Sequence, residues 1–180
     1  IASFHISNHR LIEKVLLNPQ CKNLLISTGV CSMQDILNTN KMYESTNVES
    51  KPKLSFLHCI SQYPVSSIKD LNLSNIQNIA NLTSKSVGFS DHSIGALIPS
   101  YAVAIGATIV EKHFTIDNSL EGADHSMSAS PTVFSEMVRM CDNVIEMLGT
   151  ARSDHIYKCE ANSIQYCHKS DDIGIIHSKE

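Results

Sequence analysis

No stretch of this 180-residue chain approaches the roughly 18 uninterrupted apolar residues that a membrane-spanning helix needs, so no membrane partner is expected. The opening residues lack the basic-then-apolar pattern of a secretory signal. Basic residues are too few and too scattered for a nucleic-acid surface: 14 Lys and Arg face 18 Asp and Glu, and the net charge is −4. The six cysteines (Cys21, Cys31, Cys59, Cys141, Cys159 and Cys167) form no C-x-x-C pair and show no disulfide-like regularity. That argues against a zinc site built from them and for reduced thiols in a cytoplasmic protein. Hairpin dipeptides are missing as well, which disfavours an antiparallel architecture.

What is present is an alternation of short apolar runs and amphipathic stretches, with 42% apolar residues, enough for one domain with a core. Asn8 is placed to cap a helix running to Leu17, closed by Pro19. Asn23 to Ser27 reads as a buried strand, and Ser32 opens a second helix. The polar stretch from Asn38 to Lys53 reads as a long loop. Leu54 to Cys59 is the next strand, Leu71 to Leu82 a helix, and Ser86 to Phe89 a strand. An apolar helix over Ala96 to Gly106 leads into the strand-like run Ala107 to Val110. Pro131 then starts a helix that continues from Val133 to Leu148 and stops at Gly149. Strand and helix repeated about four times predict a parallel α/β protein, half of a (β/α)₈ barrel, whose chemistry belongs at the C-terminal strand ends. The expected organisation is a barrel half over 1–149, with a polar linker and the start of a further domain over 150–180. Ile1-Ala2-Ser3 reads as the end of a strand and Gly174 to Glu180 as the beginning of one, so the chain is expected to be a fragment.

Two histidine-bearing stretches carry the functional signal: Gly88-Phe89-Ser90-Asp91-His92-Ser93-Ile94-Gly95 and Glu111-Lys112-His113-Phe114-Thr115-Ile116-Asp117. Each places one histidine just after a strand. Neighbouring parallel strands open on one face, so His92 and His113 are expected to share a pocket, close enough for one divalent cation to bridge. A single histidine there more often hydrogen-bonds in a polar barrel mouth; two at matched strand ends, flanked by acids, favour a site. His58 reads as a core residue, His125 as structural, and Lys112 as facing the helix layer or paired with an acid. Ser27-Thr28-Gly29 taken alone is more often a helix cap than a phosphate site.

Taken in order, Ile1-Ala2-Ser3, Leu25-Ile26-Ser27-Thr28-Gly29, Leu57-His58-Cys59 with Tyr63-Pro64, the two histidine stretches, and Gly122-Ala123-Asp124-His125 resemble the sialic acid synthase family. These are phosphoenolpyruvate-condensing enzymes that make N-acetylneuraminic, legionaminic and pseudaminic acids. The resemblance implies a TIM barrel followed by a small antifreeze-protein-like domain, of which this chain holds the C-terminal half of the barrel and the start of the second domain. It implies that His92 and His113 bind Mn2+ or Mg2+ and take part in catalysis. Ser3, Ser27 and Ser90 are implied to hold the phosphate of phosphoenolpyruvate, and Tyr63 and Asp124 to contact an N-acetylated amino sugar such as N-acetylmannosamine. A homodimer is implied for the full-length protein.

Ser61 stands where the sialic acid enzymes commonly carry an asparagine, so the resemblance leaves the acceptor sugar open. Phe4 and His5 replace a small residue and an acid, and the lysine expected before Ile1 is absent. Two further readings stay open: another metal-dependent barrel aldolase or lyase, and a barrel half that is inactive alone.

Overall fold

The computed structural model describes residues 1–150, 157–166, 169–170 and 176–177. Contacts divide the chain into two units, Ile1–Leu148 and Gly149–Glu180. The second contains a 3₁₀ segment, Lys158–Tyr166, and a two-residue antiparallel pair, Lys169–Ser170 with Ile176–His177. The expected antifreeze-protein-like domain falls mostly outside the described residues.

The first unit is a four-stranded parallel sheet in sequential order. Its strands are β1 (Asn23–Ser27), β2 (Lys53–Cys59), β3 (Ser86–Asp91) and β4 (Val110–Lys112). Between and around them run α1 (His9–Leu16), α2 (Met33–Ser45), α3 (Asn75–Thr83), α4 (Leu97–Ala104) and α5 (Pro131–Leu148). This is half of a parallel α/β barrel. A single parallel bridge from Phe114 to Ala129 extends the sheet beyond β4.

Local chemistry explains where several elements start. The Asn8 side chain accepts a hydrogen bond from the Leu11 N–H, capping α1. Ser32 and Asp35 form a reciprocal capping box at the head of α2. Pro131 opens α5, and Gly149, at φ +52, takes the left-handed position just past its end.

One face of the sheet makes the core. Leu24 and Ile26 from β1, Leu54 and Phe56 from β2, and Val87 and Phe89 from β3 pack against Ile12, Leu16, Ile36, Ile76, Ile79 and Ala102 of the helices. Each is nearly or fully buried, and burial of such a side chain stabilises by about 1.5–3 kcal/mol. The alternate residues, Leu25, Ser27, Leu57, Cys59 and Ser90, face the other way and line a cavity.

The structure corrects four boundaries. The stretch read as a loop from Asn38 is helical to Ser45, because its polar side chains find partners. Thr39 Oγ1 donates to Ile6 O, Asn40 to Thr83 O and Tyr43 to Pro52 O. The helix expected from Leu71 begins at Asn75; a 3₁₀ turn, Ile68–Leu71, precedes it and Asn72, at φ +43, breaks the path. The strand after α4 is Val110–Lys112 rather than Ala107 to Val110, although Thr108 N already donates to Val87 O. Ser3 opens a 3₁₀ turn instead of ending a strand, while Ile1 O still accepts from Ser27 N beside β1.

Gly88 is set by close approach. A Cβ there would lie 2.6 Å from both Ile109 O and Leu57 Cδ2, because β3 is pressed between β2 and β4 at this level. Gly88→Ala is therefore expected to destabilise the chain by about 1–3 kcal/mol, measured by urea unfolding. An unchanged midpoint would show that the strands separate at little cost.

Candidate active site

Alternation along the strands sorts the polar residues into two sets. In β3 and β4 the partners Ser90 and Glu111 face the cavity, while the partners Asp91 and Lys112 face the helices. One residue further along, His92 and His113 face the cavity again. The cavity has a volume of about 260 Å³ and is rimmed by Ser3, Ser27, Tyr63, Ser90, His92 and His113, with Leu25 and Leu57 as its apolar floor. Five of the six lie at C-terminal strand ends or in the loops that follow, and Ser3, in its 3₁₀ turn, joins them on the same cavity.

The two imidazoles meet edge to face with centroids 5.4 Å apart, and the Tyr63 ring stands 4.2 Å from His92 and 5.7 Å from His113. His92 Nδ1 lies 2.7 Å from Ile60 O, a group that can only accept. Nδ1 therefore carries the proton and Nε2 presents a lone pair toward Ser90 Oγ, 3.5 Å away. Burial, reinforced by the neighbouring His113, lowers the His92 pKa against the opposing pull of the Ile60 carbonyl. A neutral ring with its far nitrogen anchored to a carbonyl is the form a metal ligand takes.

The ring pair is compatible with a shared divalent cation: an imidazole centroid stands about 3 Å from an ion bound at about 2.1 Å, and the two centroids are 5.4 Å apart. Among the described residues no group of three His, Cys, Asp or Glu gathers as a ligand set.

The serines occupy distinct settings. Ser90 Oγ donates to Glu111 Oε1 at 2.7 Å. Ser3 Oγ accepts from Gly29 N at 2.9 Å and lies 3.1 Å from the Cys59 thiol. Ser27 is buried on the rim beside them.

Ser61 and Asp124 are placed differently. Ser61 packs behind the Gly29 turn, so close that a Cβ on Gly29 would fall 2.2 Å from its hydroxyl. Asp124 lies on the exposed loop after β4, its carboxylate 3.7 Å from His113 Nδ1. His125 is tied into that loop through Thr115 Oγ1 at 2.8 Å. His58 faces the helices, where its Nε2 donates to Leu71 O at 2.7 Å. Glu111 and Cys59 are cavity residues that the sequence reading did not select. The signal was available in Glu111, which stands two residues before His113 and so shares its face.

The NeuB family model matches residues 1–153. Pseudaminic acid synthase of Campylobacter jejuni is 34% identical over 184 aligned residues, covering 100% of this chain and 52% of its own length. The N,N'-diacetyllegionaminic acid synthase of Legionella pneumophila is 39% identical over 130 residues, which is 71% of this chain and 36% of that protein. The crystal structure of N-acetylneuraminic acid synthetase from Leptospira borgpetersenii superposes with a TM-score of 0.80 at 33% identity, covering 92% of this chain and 55% of the other. The chain thus spans about half or less of the length of the curated relatives it matches.

Two buried histidines make stability depend on pH. Burial pushes the pKa of His58, like that of His92, below its ordinary value. The unfolded chain then binds more protons than the folded one below about pH 6.5. Their stabilising contribution is complete above that pH and is lost as the pH falls through the window beneath it. Urea unfolding between about pH 7 and about pH 5 should show falling stability, with a shallower slope in His58→Gln, whose amide still donates to Leu71 O but does not titrate. Equal slopes would remove His58 from the account.

Proposed function

The chain belongs to the NeuB family, and from that premise we propose that its site serves the condensation of phosphoenolpyruvate with an N-acetylated amino sugar to a nonulosonic acid and phosphate. The observation that carries the reading is the convergence of three serines, two histidines and Glu111 on one cavity at the end of the sheet where β1 to β4 finish. In the reaction a C–C bond forms between the enol carbon and the sugar's aldehyde carbon. Water adds at the former enol-ether carbon, and its C–O bond breaks to release phosphate.

His92 and His113 would hold the divalent cation, Mn2+ or Mg2+, which when bound supplies Lewis-acid polarisation of the sugar aldehyde. Ser3 and Ser27 offer hydroxyls to the phosphate without adding fixed charge. Ser3 is already oriented by the Gly29 N–H, which occupies one of its lone pairs. Ser90 donates to Glu111 at rest, so gripping an anion requires its proton to swing away from that carboxylate. Glu111 then stands with an acceptor position released for water or a substrate hydroxyl. The Tyr63 ring walls off one side of the histidine pair, and Asp124, on the exposed loop beside His113, would meet sugar hydroxyls. Ser61, packed against Gly29, stands where the resemblance puts an acceptor contact and would bear on the choice of sugar through that turn.

No lysine or arginine lines the cavity among the described residues, so phosphate charge is not balanced here. Catalytic groups that act as a unit lose far more than their individual shares when several are missing. This chain by itself is therefore expected to show negligible turnover.

The test measures phosphate release from phosphoenolpyruvate with Mn2+ and a panel of acceptors, N-acetylmannosamine and diacetamido hexoses, for this chain and for the complete product of its gene. The complete product should turn over, and His92→Ala or His113→Ala should each lower kcat/KM by about 10²-fold or more. Sugar cleavage or aldol chemistry that ignores phosphoenolpyruvate would replace this reading with that of another metal-dependent aldolase.

A further inference from the structure

Behind the two histidines, on the opposite side of the sheet, Asp91 and Lys112 form an ion pair at 2.6 Å whose side chains are 0% and 1% exposed. Each immediately precedes one of the cavity histidines, and the two are directly paired in the β3–β4 register. The ammonium also donates to Ser93 O at 2.7 Å, while the second oxygen of Asp91 accepts from Ser93 N at 2.9 Å. Lys112 therefore grips the chain on both sides of His92. The backbone of His92 is held again where its carbonyl accepts from Val65 N at 3.0 Å.

From this geometry we propose that the Asp91–Lys112 pair is the positioning device that sets His92 and His113 at their mutual distance and angle. The pair touches no cavity atom and is not catalytic; it acts through the backbone of its two neighbours. Three hydrogen bonds converge on residues 91 and 93, so His92 cannot rotate or slide along the strand without breaking charged contacts in a dry environment. A neutral apolar pair of similar volume would hold the strands together equally well but would leave the 91–93 turn untied. That difference separates positioning from mere cohesion. The consequence for metal affinity rests on the reading of the two histidines as cation ligands, whereas the consequence for ring geometry does not.

The experiment compares the chain with the apolar double variant Asp91→Leu/Lys112→Met and with Asp91→Glu, which keeps both charges but lengthens one arm by a methylene. Three quantities are read: the melting temperature, Mn2+ affinity by electron paramagnetic resonance, and histidine-ring chemical shifts in the metal-free protein. The double variant should melt within about 5 °C of the parent yet bind Mn2+ about 10–100-fold more weakly. Ring signals of His92 and His113 should move together while those of His58 and His125 stay. The Asp91→Glu variant should displace the same two signals by less. Parent-like Mn2+ affinity with unmoved signals in the double variant overturns the proposal. If the double variant does not fold, unmoved signals in Asp91→Glu overturn it. If the parent binds no Mn2+, the cation reading fails and the ring signals alone decide the proposal.

Discussion

The register of β3 against β4 is the constraint on which the rest of the site depends. Parallel pairing places Ser90 beside Glu111 and Asp91 beside Lys112. Because successive side chains leave a strand on opposite faces, a one-residue slip of β4 would send Glu111 and His113 into the helix layer and Lys112 into the cavity, parting each from its β3 neighbour. Such a slip would also leave the buried Asp91 carboxylate without its cation. The register is held from both sides: by Val87 and Phe89 in the core, and by the charged contacts of Lys112. Buried ion pairs contribute little net stability over an apolar pair, but losing one partner costs about 3–5 kcal/mol. The pair therefore penalises wrong registers more than it stabilises the right one.

Electrostatics inside the cavity follow from what the strands deliver. Two imidazoles, a carboxylate and several hydroxyls meet over an apolar floor. Desolvation keeps His92 in its neutral form, and the Ile60 carbonyl fixes which nitrogen is available. Under the proposed function the cavity would take a cation between the rings and an anion against the hydroxyls beside them. It is poor in positive side chains of its own. Membership of a family whose curated members are about twice as long or longer accords with a site to which other elements contribute.

Much of the fold was legible because local chemistry announces it. Asn8, the Ser32–Asp35 box and Pro131 mark helix starts through hydrogen bonds made within one turn. The strands Asn23–Ser27 and Lys53–Cys59 stand out as compact apolar runs. The misreadings share a cause. Asn38 to Ser45 looks like a loop because its polar side chains suggest solvent, yet Thr39, Asn40 and Tyr43 bond to distant backbone carbonyls of Ile6, Thr83 and Pro52. The placement of β4 was missed because the apolar run Ala107 to Val110 reads as the strand, whereas pairing with β3 sets it at Val110–Lys112. Lys112 faces the helix layer and pairs with an acid, as expected.

The sequence by itself determined the alternation of strand and helix, the face on which each histidine falls and the order of the motifs, because these depend on periodicity and on contacts a few residues apart. Only the tertiary structure decided that Ser3, Ser27, Ser90, His92 and His113 share one cavity, that Glu111 belongs with them, and that Ser61 lies beneath Gly29. It also decided that Lys112 is locked to Asp91 in the helix layer. These are contacts across 20 or more residues, for example Ser90 to Glu111 and Ser3 to Gly29. They exist because parallel pairing requires each strand to return through a helix before its side chains can meet those of its neighbour.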